Sequence, residues 1–289
     1  MRVRYSASVV ATAVAVGSLA VGIAGQGGSD RVQPAQQSVS DAKAKLVTTP
    51  WKTFSTTVGR GTKVVVSTGG NITGYASPNS GSAVYEHIGV GAIGEGYVLC
   101  YDGSSAAYDL GQSASGWAAP TTTSSNVTRN TLDGRASLQQ TFSLTPGGIS
   151  SATSFLVSMT VTNRTGSPMT NVVLRRQVDF DIDTGGGAGW AGFISNHSRT
   201  RGTVAAFHDP VEAPAGKESH GIMMMLQSPG GTWETRVTNA ILDPSCDPTP
   251  APLAANFVSR GDFGDTMIFR LGTIPAFGSK TSVLRYMRY

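Results

Sequence analysis

The sequence predicts an all-β protein: a single large antiparallel β-sandwich over residues 51–289, behind a cleaved signal peptide (residues 1–24) and a flexible linker (residues 25–50). Three observations carry this. From Trp51 onward, short alternating apolar and polar runs are punctuated by Gly, Asn and Pro, the pattern of strands joined by tight turns. No long segment shows the 3.6-residue apolar period of an amphipathic helix. With 36 glycines and only 14% charged residues, the composition is that of a loop-rich extracellular protein.

The N-terminus reads as an export signal. Arg2 and Arg4 supply the positive start, residues 9–24 form an apolar run diluted by Ala and Gly, and Gly22-Ile23-Ala24 is a small-x-small processing site, which places cleavage after Ala24. The run is shorter than the roughly 20 strongly apolar residues of a spanning helix, and no later segment is long enough. The expectation is a secreted protein with no membrane span after cleavage. Residues 25–50, rich in Gln, Ser, Ala and Lys, hold too few apolar side chains to build a core.

Strands follow in order. Lys63-Val64-Val65-Val66 and Ile72-Thr73-Gly74-Tyr75 flank Thr68-Gly69-Gly70-Asn71, a hairpin turn by its residues' tolerance of positive φ. In mid-chain, Phe155, Val157, Met159 and Val161 alternate with Leu156, Ser158, Thr160 and Thr162; after a turn at residues 163–168 the alternation resumes over 172–182, the mark of half-buried antiparallel strands. Residues 267–271, a Pro275/Gly278 turn and residues 283–289 close the chain in the same way. No linker divides this stretch into two domains.

Cys100 and Cys246 are the two cysteines. In the oxidising compartment that export implies, they are expected to pair and to pin the Pro-rich segment around Cys246 to the strand ending at Cys100. No histidine lies beside either to activate a thiolate. Removal of Arg2 and Arg4 takes Lys plus Arg from 22 to 20 against 18 acidic residues, a net +2, and the cations are scattered, which excludes a nucleic-acid stripe.

The catalytic motifs fail on context. Gly89-Val90-Gly91-Ala92-Ile93-Gly94 satisfies the dinucleotide fingerprint, but that chemistry needs a helix next, and strand-like Tyr97-Val98-Leu99-Cys100 follows instead. The histidines, His87, His197, His208 and His220, have no zinc spacing, and no G-x-S-x-G elbow exists.

Two stretches carry a resemblance. Val157-Ser158-Met159-Thr160-Val161-Thr162-Asn163 with residues 172–181, and Leu271-Gly272-Thr273-Ile274-Pro275-Ala276-Phe277-Gly278-Ser279-Lys280, resemble bacterial exported β-sandwiches, above all mutarotase-like supersandwich domains. The resemblance implies an all-β sandwich and a sugar ligand. The His and carboxylate set that mutarotases use finds no matching positions, so no catalytic residue is carried over.

The strongest local chemistry is Asp179-Phe180-Asp181-Ile182-Asp183. On a strand Val178, Phe180 and Ile182 point to the core, while Asp179, Asp181 and Asp183 line up outside, roughly 6.5–7 Å apart. Calcium is the cation such a row of hard oxygens suits. The other reading is a solvated polar face with Arg175 and Arg176 nearby. The run is no EF-hand, because Thr184 and Trp190 stand where Gly and the bidentate Glu belong. Trp190, on a Gly-rich loop, and Trp117, in Ser115-Gly116-Trp117-Ala118, are candidates to stack on a sugar ring.

Three functions remain open: a secreted sandwich that binds a polysaccharide or cell-envelope polymer without catalysis, a carbohydrate-active enzyme using Asp179, Asp181 and Asp183, and a self-assembling surface protein that pairs through an exposed edge at residues 283–289.

Overall fold

The computed structural model describes residues 49–56, 62–78, 84–86, 88, 94–111, 113–146, 153–180, 193–199, 202–208, 221–238, 243–250, 258–260 and 264–288. The expected signal, and all of the expected linker but residues 49 and 50, lie outside them. Among the described residues every regular element is a strand.

β1 (Pro50–Thr56), β2 (Thr62–Ser67), β3 (Ile72–Pro78) and β4 (Val84–Glu86) pair in that order as a four-stranded antiparallel sheet. β5 (Glu95–Tyr101), β6 (Ser104–Asp109) and β7 (Ala114–Ser115) begin a second sheet, and β8 (Thr121–Thr122), β9 (Asn126–Asn130), β10 (Ala136–Thr145) and β11 (Ser154–Asn163) begin a third. β12 (Met169–Asp179) returns to the second sheet, while β13 (Phe193–Arg199), β14 (Thr203–His208) and β15 (Gly221–Ser228) extend the third. β16 (Thr232–Thr238), β17 (Val258–Arg260), β18 (Gly264–Ile274) and β19 (Ser279–Arg288) complete both. The second sheet then has the order β16-β18-β12-β5-β6-β7, and the third β17-β13-β14-β15-β19-β11-β10-β9-β8.

Alternation decides which face goes inside. In β11 the side chains of Phe155, Val157, Met159 and Val161 are sealed from solvent while those between them are half-buried, as period two requires. One core gathers Val64, Ile72 and Tyr75 from the four-stranded sheet, Leu99, Leu174 and Phe269 from the six-stranded sheet, and Phe155, Leu284 and Tyr286 from the nine-stranded sheet. The fold is thus an all-β sandwich. The β2–β3 hairpin forms at the expected turn.

Two expectations need correction. β11 and β12 are consecutive but lie in different sheets, and so are β18 and β19, so the turns at 164–168 and 275–278 are corners of the sandwich. Asn163 ties the corners together: its Nδ2 donates to the carbonyls of Ser167 at 2.7 Å, Ile274 at 3.2 Å and Pro275 at 3.1 Å. The second correction concerns residues 283–289, expected as an exposed edge. β19 lies inside the nine-stranded sheet, with β15 on one side and β11 on the other, so its ladder bonds are already taken.

Candidate functional site

Two polar assemblies stand on opposite faces of the six-stranded sheet. The inner one lies where the β2–β3 turn wedges between the sheets. Glu95, fully buried, accepts from the Ile72 backbone N–H at 2.6 Å, from the Tyr286 hydroxyl at 2.9 Å and from Arg176 Nε. Arg176 also donates to Gln140 Oε1 at 2.6 Å and to the Gly70 carbonyl at 3.2 Å. Beside it Asp109 takes Arg129 Nη1, and Asn71 Nδ2 donates to Asp109 Oδ1 at 3.1 Å and to the Glu95 carbonyl at 2.9 Å. The turn must come this close, which is why residue 70 is glycine: its φ is +90°, and a Cβ there would fall 2.1 Å from Gln140 Nε2.

Burial works against the charge on Arg176, but the Glu95 carboxylate and the Tyr286 hydroxyl together outweigh it and hold the guanidinium's pKa above the ordinary arginine value. Burial likewise pushes the Tyr97 and Tyr286 hydroxyls well up, so both stay neutral donors. The polar atoms named in this assembly answer one another inside the sandwich, which makes it a structural joint between the three sheets.

The outer face is different. Val98, Cys100 and Leu110 form a small buried cluster there with Tyr108, Val173 and Cys246 around it. A strap, residues 243–248, lies across that face. Cys100 and Cys246 form the expected disulfide, with their Cα atoms 5.9 Å apart. The Asp243 N–H donates to Gln177 Oε1 at 3.4 Å, and the Ser245 N–H donates to Asp243 Oδ1 at 2.7 Å. Farther along, Arg236 donates to the Pro248 carbonyl at 2.7 Å, and Asp247 pairs with Arg236 at 2.7 Å and with Arg270 at 3.2 Å. Burial works to raise the Asp247 carboxyl, but the charges and hydrogen bonds of Arg236 and Arg270 together outweigh it and hold that group below the usual carboxylate range.

Between strap and sheet edge opens a cleft of about 350 Å³, lined by Ala106, Ala107, Tyr108, Ser115, Asp243, Pro244 and Ser245. Its lining residues include one aromatic ring, three hydroxyls and one carboxylate. Small-ligand sites combine an apolar wall with a few placed polar groups, and this volume lies at the lower end of their range. Arg175 lies on the same outer face: it stands opposite Val98, Val98 opposite Tyr108, and Tyr108 opposite Ser115. It is only 1% exposed, and burial pushes its guanidinium down to about 10, with Asp243 pulling the other way.

Of the metal and sugar-stacking candidates singled out from the sequence, the two that are described, Trp117 and Asp179, do not line this cleft. Trp117 is 4% exposed, its ring centroid 5.5 Å from that of Tyr97 and 5.5 Å below the Arg129 guanidinium, on the inner side of the sandwich. Asp179 ends β12 half-buried, its N–H donating to the Gly94 carbonyl at 2.6 Å. Asp181, Asp183 and Trp190 lie outside the described residues. Among the described residues no three His, Cys, Asp or Glu side chains gather as a metal site. Arg175 and Arg176, read as neighbours of a solvated face, are both buried, because β12 is covered on each side: by the third sheet inside and by the strap outside. The Gly89–Gly94 run leads into β5, not into a helix, so the fingerprint lacks its structural context.

The cleft residues Tyr108, Ser115, Asp243 and Ser245 escaped the sequence reading. Their one sequence signal was Cys246, which placed the strap but not what lay beneath it. No protein family matches the chain, and no curated protein matches it.

Proposed function

We propose that the protein is an exported carbohydrate-binding protein that holds a sugar unit in the cleft between the strap and the six-stranded sheet, without chemistry on it. The observation that carries the reading is the composition of that cleft: the Tyr108 ring beside the Ser115 and Ser245 side chains and the Asp243 carboxylate. An aromatic face receives the C–H side of a pyranose, and carboxylate and hydroxyl groups exchange hydrogen bonds with its hydroxyls. The non-catalytic part rests on where the buried ion pairs lie. Glu95, Asp109, Arg129 and Arg176 are sealed among partners, away from the cleft, where no substrate atom comes within hydrogen-bond reach. The signal-like residues 1–24 support export, and the mutarotase-like resemblance of the strand text supports a sugar as ligand.

A glycan array probed with the disulfide-intact protein, followed by calorimetry on the best hit, tests this. Tyr108→Ala and Asp243→Asn are each expected to weaken binding by about tenfold or more, the loss of one stacked ring or one charged hydrogen bond. An array with no hits, or hits that neither variant weakens, would reject the assignment.

A further inference from the structure

Among the described residues, two of the three buried arginines are answered. Arg176 has Glu95, Gln140 and the Gly70 carbonyl, and Arg129 has Asp109 and Tyr97. Arg175 breaks the pattern. It is 1% exposed, yet its Nε, Nη1 and Nη2 have no hydrogen-bond partner among the described residues. The Oγ of Ser245 is likewise buried and without a partner. Native folds rarely leave such donors unmet, and a buried charge least of all.

The strap locates both groups in one place. It is fastened to Gln177 at Asp243 and to Cys100 at Cys246, and Cys100 stands opposite Val173. Val173, Arg175 and Gln177 share a face of β12, so the stretch Pro244–Ser245 crosses above Arg175. Neither nearby carboxylate reaches Arg175: Asp243 Oδ1 accepts from the Ser245 N–H, and Asp247 is held by Arg236 and Arg270. The charges felt at Arg175 are those of Asp243 and Asp247, which favour it, and of Arg236, which does not. What is missing is an acceptor with two oxygens for the guanidinium fork.

Tyr108 is two strands away in the same cross-sheet row, about 10 Å at the usual strand spacing. An arginine side chain and a sugar ring bearing an acidic group together span that gap. We infer that the cleft is specific for an acidic saccharide, whose carboxylate or sulfate ester is gripped by the Arg175 guanidinium and the Ser245 hydroxyl while the ring lies on Tyr108. This rests on the carbohydrate reading above. The acidic group reaches Arg175 by lifting Pro244 and Ser245, which are anchored at Asp243 and Cys246 on either side.

The test uses the full, disulfide-intact protein at low salt with three probes: galacturonate oligomers, the matching neutral galactose oligomers and inorganic sulfate, read by calorimetry and thermal melting. The acidic oligomers are expected to bind at least tenfold more tightly than the neutral ones. Arg175→Met is expected to erase that preference while raising the melting temperature of the free protein, since it replaces an unmet buried cation by an apolar chain of similar length. Arg175→Lys, which keeps the charge but loses the fork, is expected to retain part of the preference and serves if the Met variant fails to fold. Equal binding of acidic and neutral oligomers, or an acid preference that survives Arg175→Met, overturns the inference and leaves the carbohydrate reading standing. Sulfate binding with no saccharide binding overturns the carbohydrate reading itself.

Discussion

Arg176→Met, made with Glu95 left in place, is expected to destabilise the protein by about 3–5 kcal/mol, because it strands a carboxylate in the interior without its counter-charge. Glu95 and Arg176 are both fully buried, and the pair reaches into all three sheets through Ile72, Gln140 and Tyr286. For a domain of this size the loss corresponds to roughly 6–20 °C in melting temperature. Urea denaturation of the single variant and of the double variant Glu95→Leu/Arg176→Met is the decisive pair of measurements. Removing both charges is expected to recover most of the loss, since the desolvation cost of the ions disappears together with their attraction. A single variant as stable as the parent would show that the pair is hydrated in solution and not the joint described above.

Loss of the disulfide is the second large effect. Cys100 and Cys246 are separated by 146 residues, and on the chain-entropy account a cross-link of that span stabilises by about 5 kcal/mol. The double variant Cys100→Ser/Cys246→Ser is therefore expected to melt roughly 10–20 °C below the parent. It is also expected to lose saccharide binding, because one wall of the cleft, Asp243 to Ser245, is held to the sheet next to that bond. Calorimetric melting with and without reductant, alongside the serine variant, checks the first part. A melting curve indifferent to reduction would mean that the contacts of Arg236 and Arg270 with the strap suffice to hold it.

Much of the fold was legible because side-chain alternation is a local property. Phe155, Val157, Met159 and Val161 declare a buried face whatever they pack against, and Gly69-Gly70-Asn71 declares a turn through its tolerance of positive φ. The cysteines were legible for another reason, since a chain with two thiols has one way to pair them. Sheet membership was not legible. β18 and β19 follow each other through a turn whose left-handed residue is Phe277, at φ 57°, yet the chain changes sheet there, and nothing in Pro275-Ala276-Phe277-Gly278 distinguishes a corner from a hairpin.

The candidate site was hidden for a related reason. Alternation puts Arg175 and Arg176 on opposite faces of β12, but it does not say what covers each face. Arg176 is covered by a sheet that includes Gln140 and Tyr286, far from it in sequence, and Arg175 by a strap that arrives some seventy residues later. The faint signal was the company they keep. Two arginines and a glutamine between Leu174 and Val178, and a glutamate at the head of apolar β5, are charges in strands otherwise fit for a core.

The cross-link has a mechanical meaning as well. A chain pulled from its two ends lengthens only where covalent bonds let it, and the bond from Cys100 to Cys246 takes the 146-residue span between them out of the extensible length. At about 3.5 Å per residue, roughly 500 Å of contour stays locked however far the flanking strands are peeled away, so under tension the chain reaches full extension about 500 Å sooner than its residue count allows.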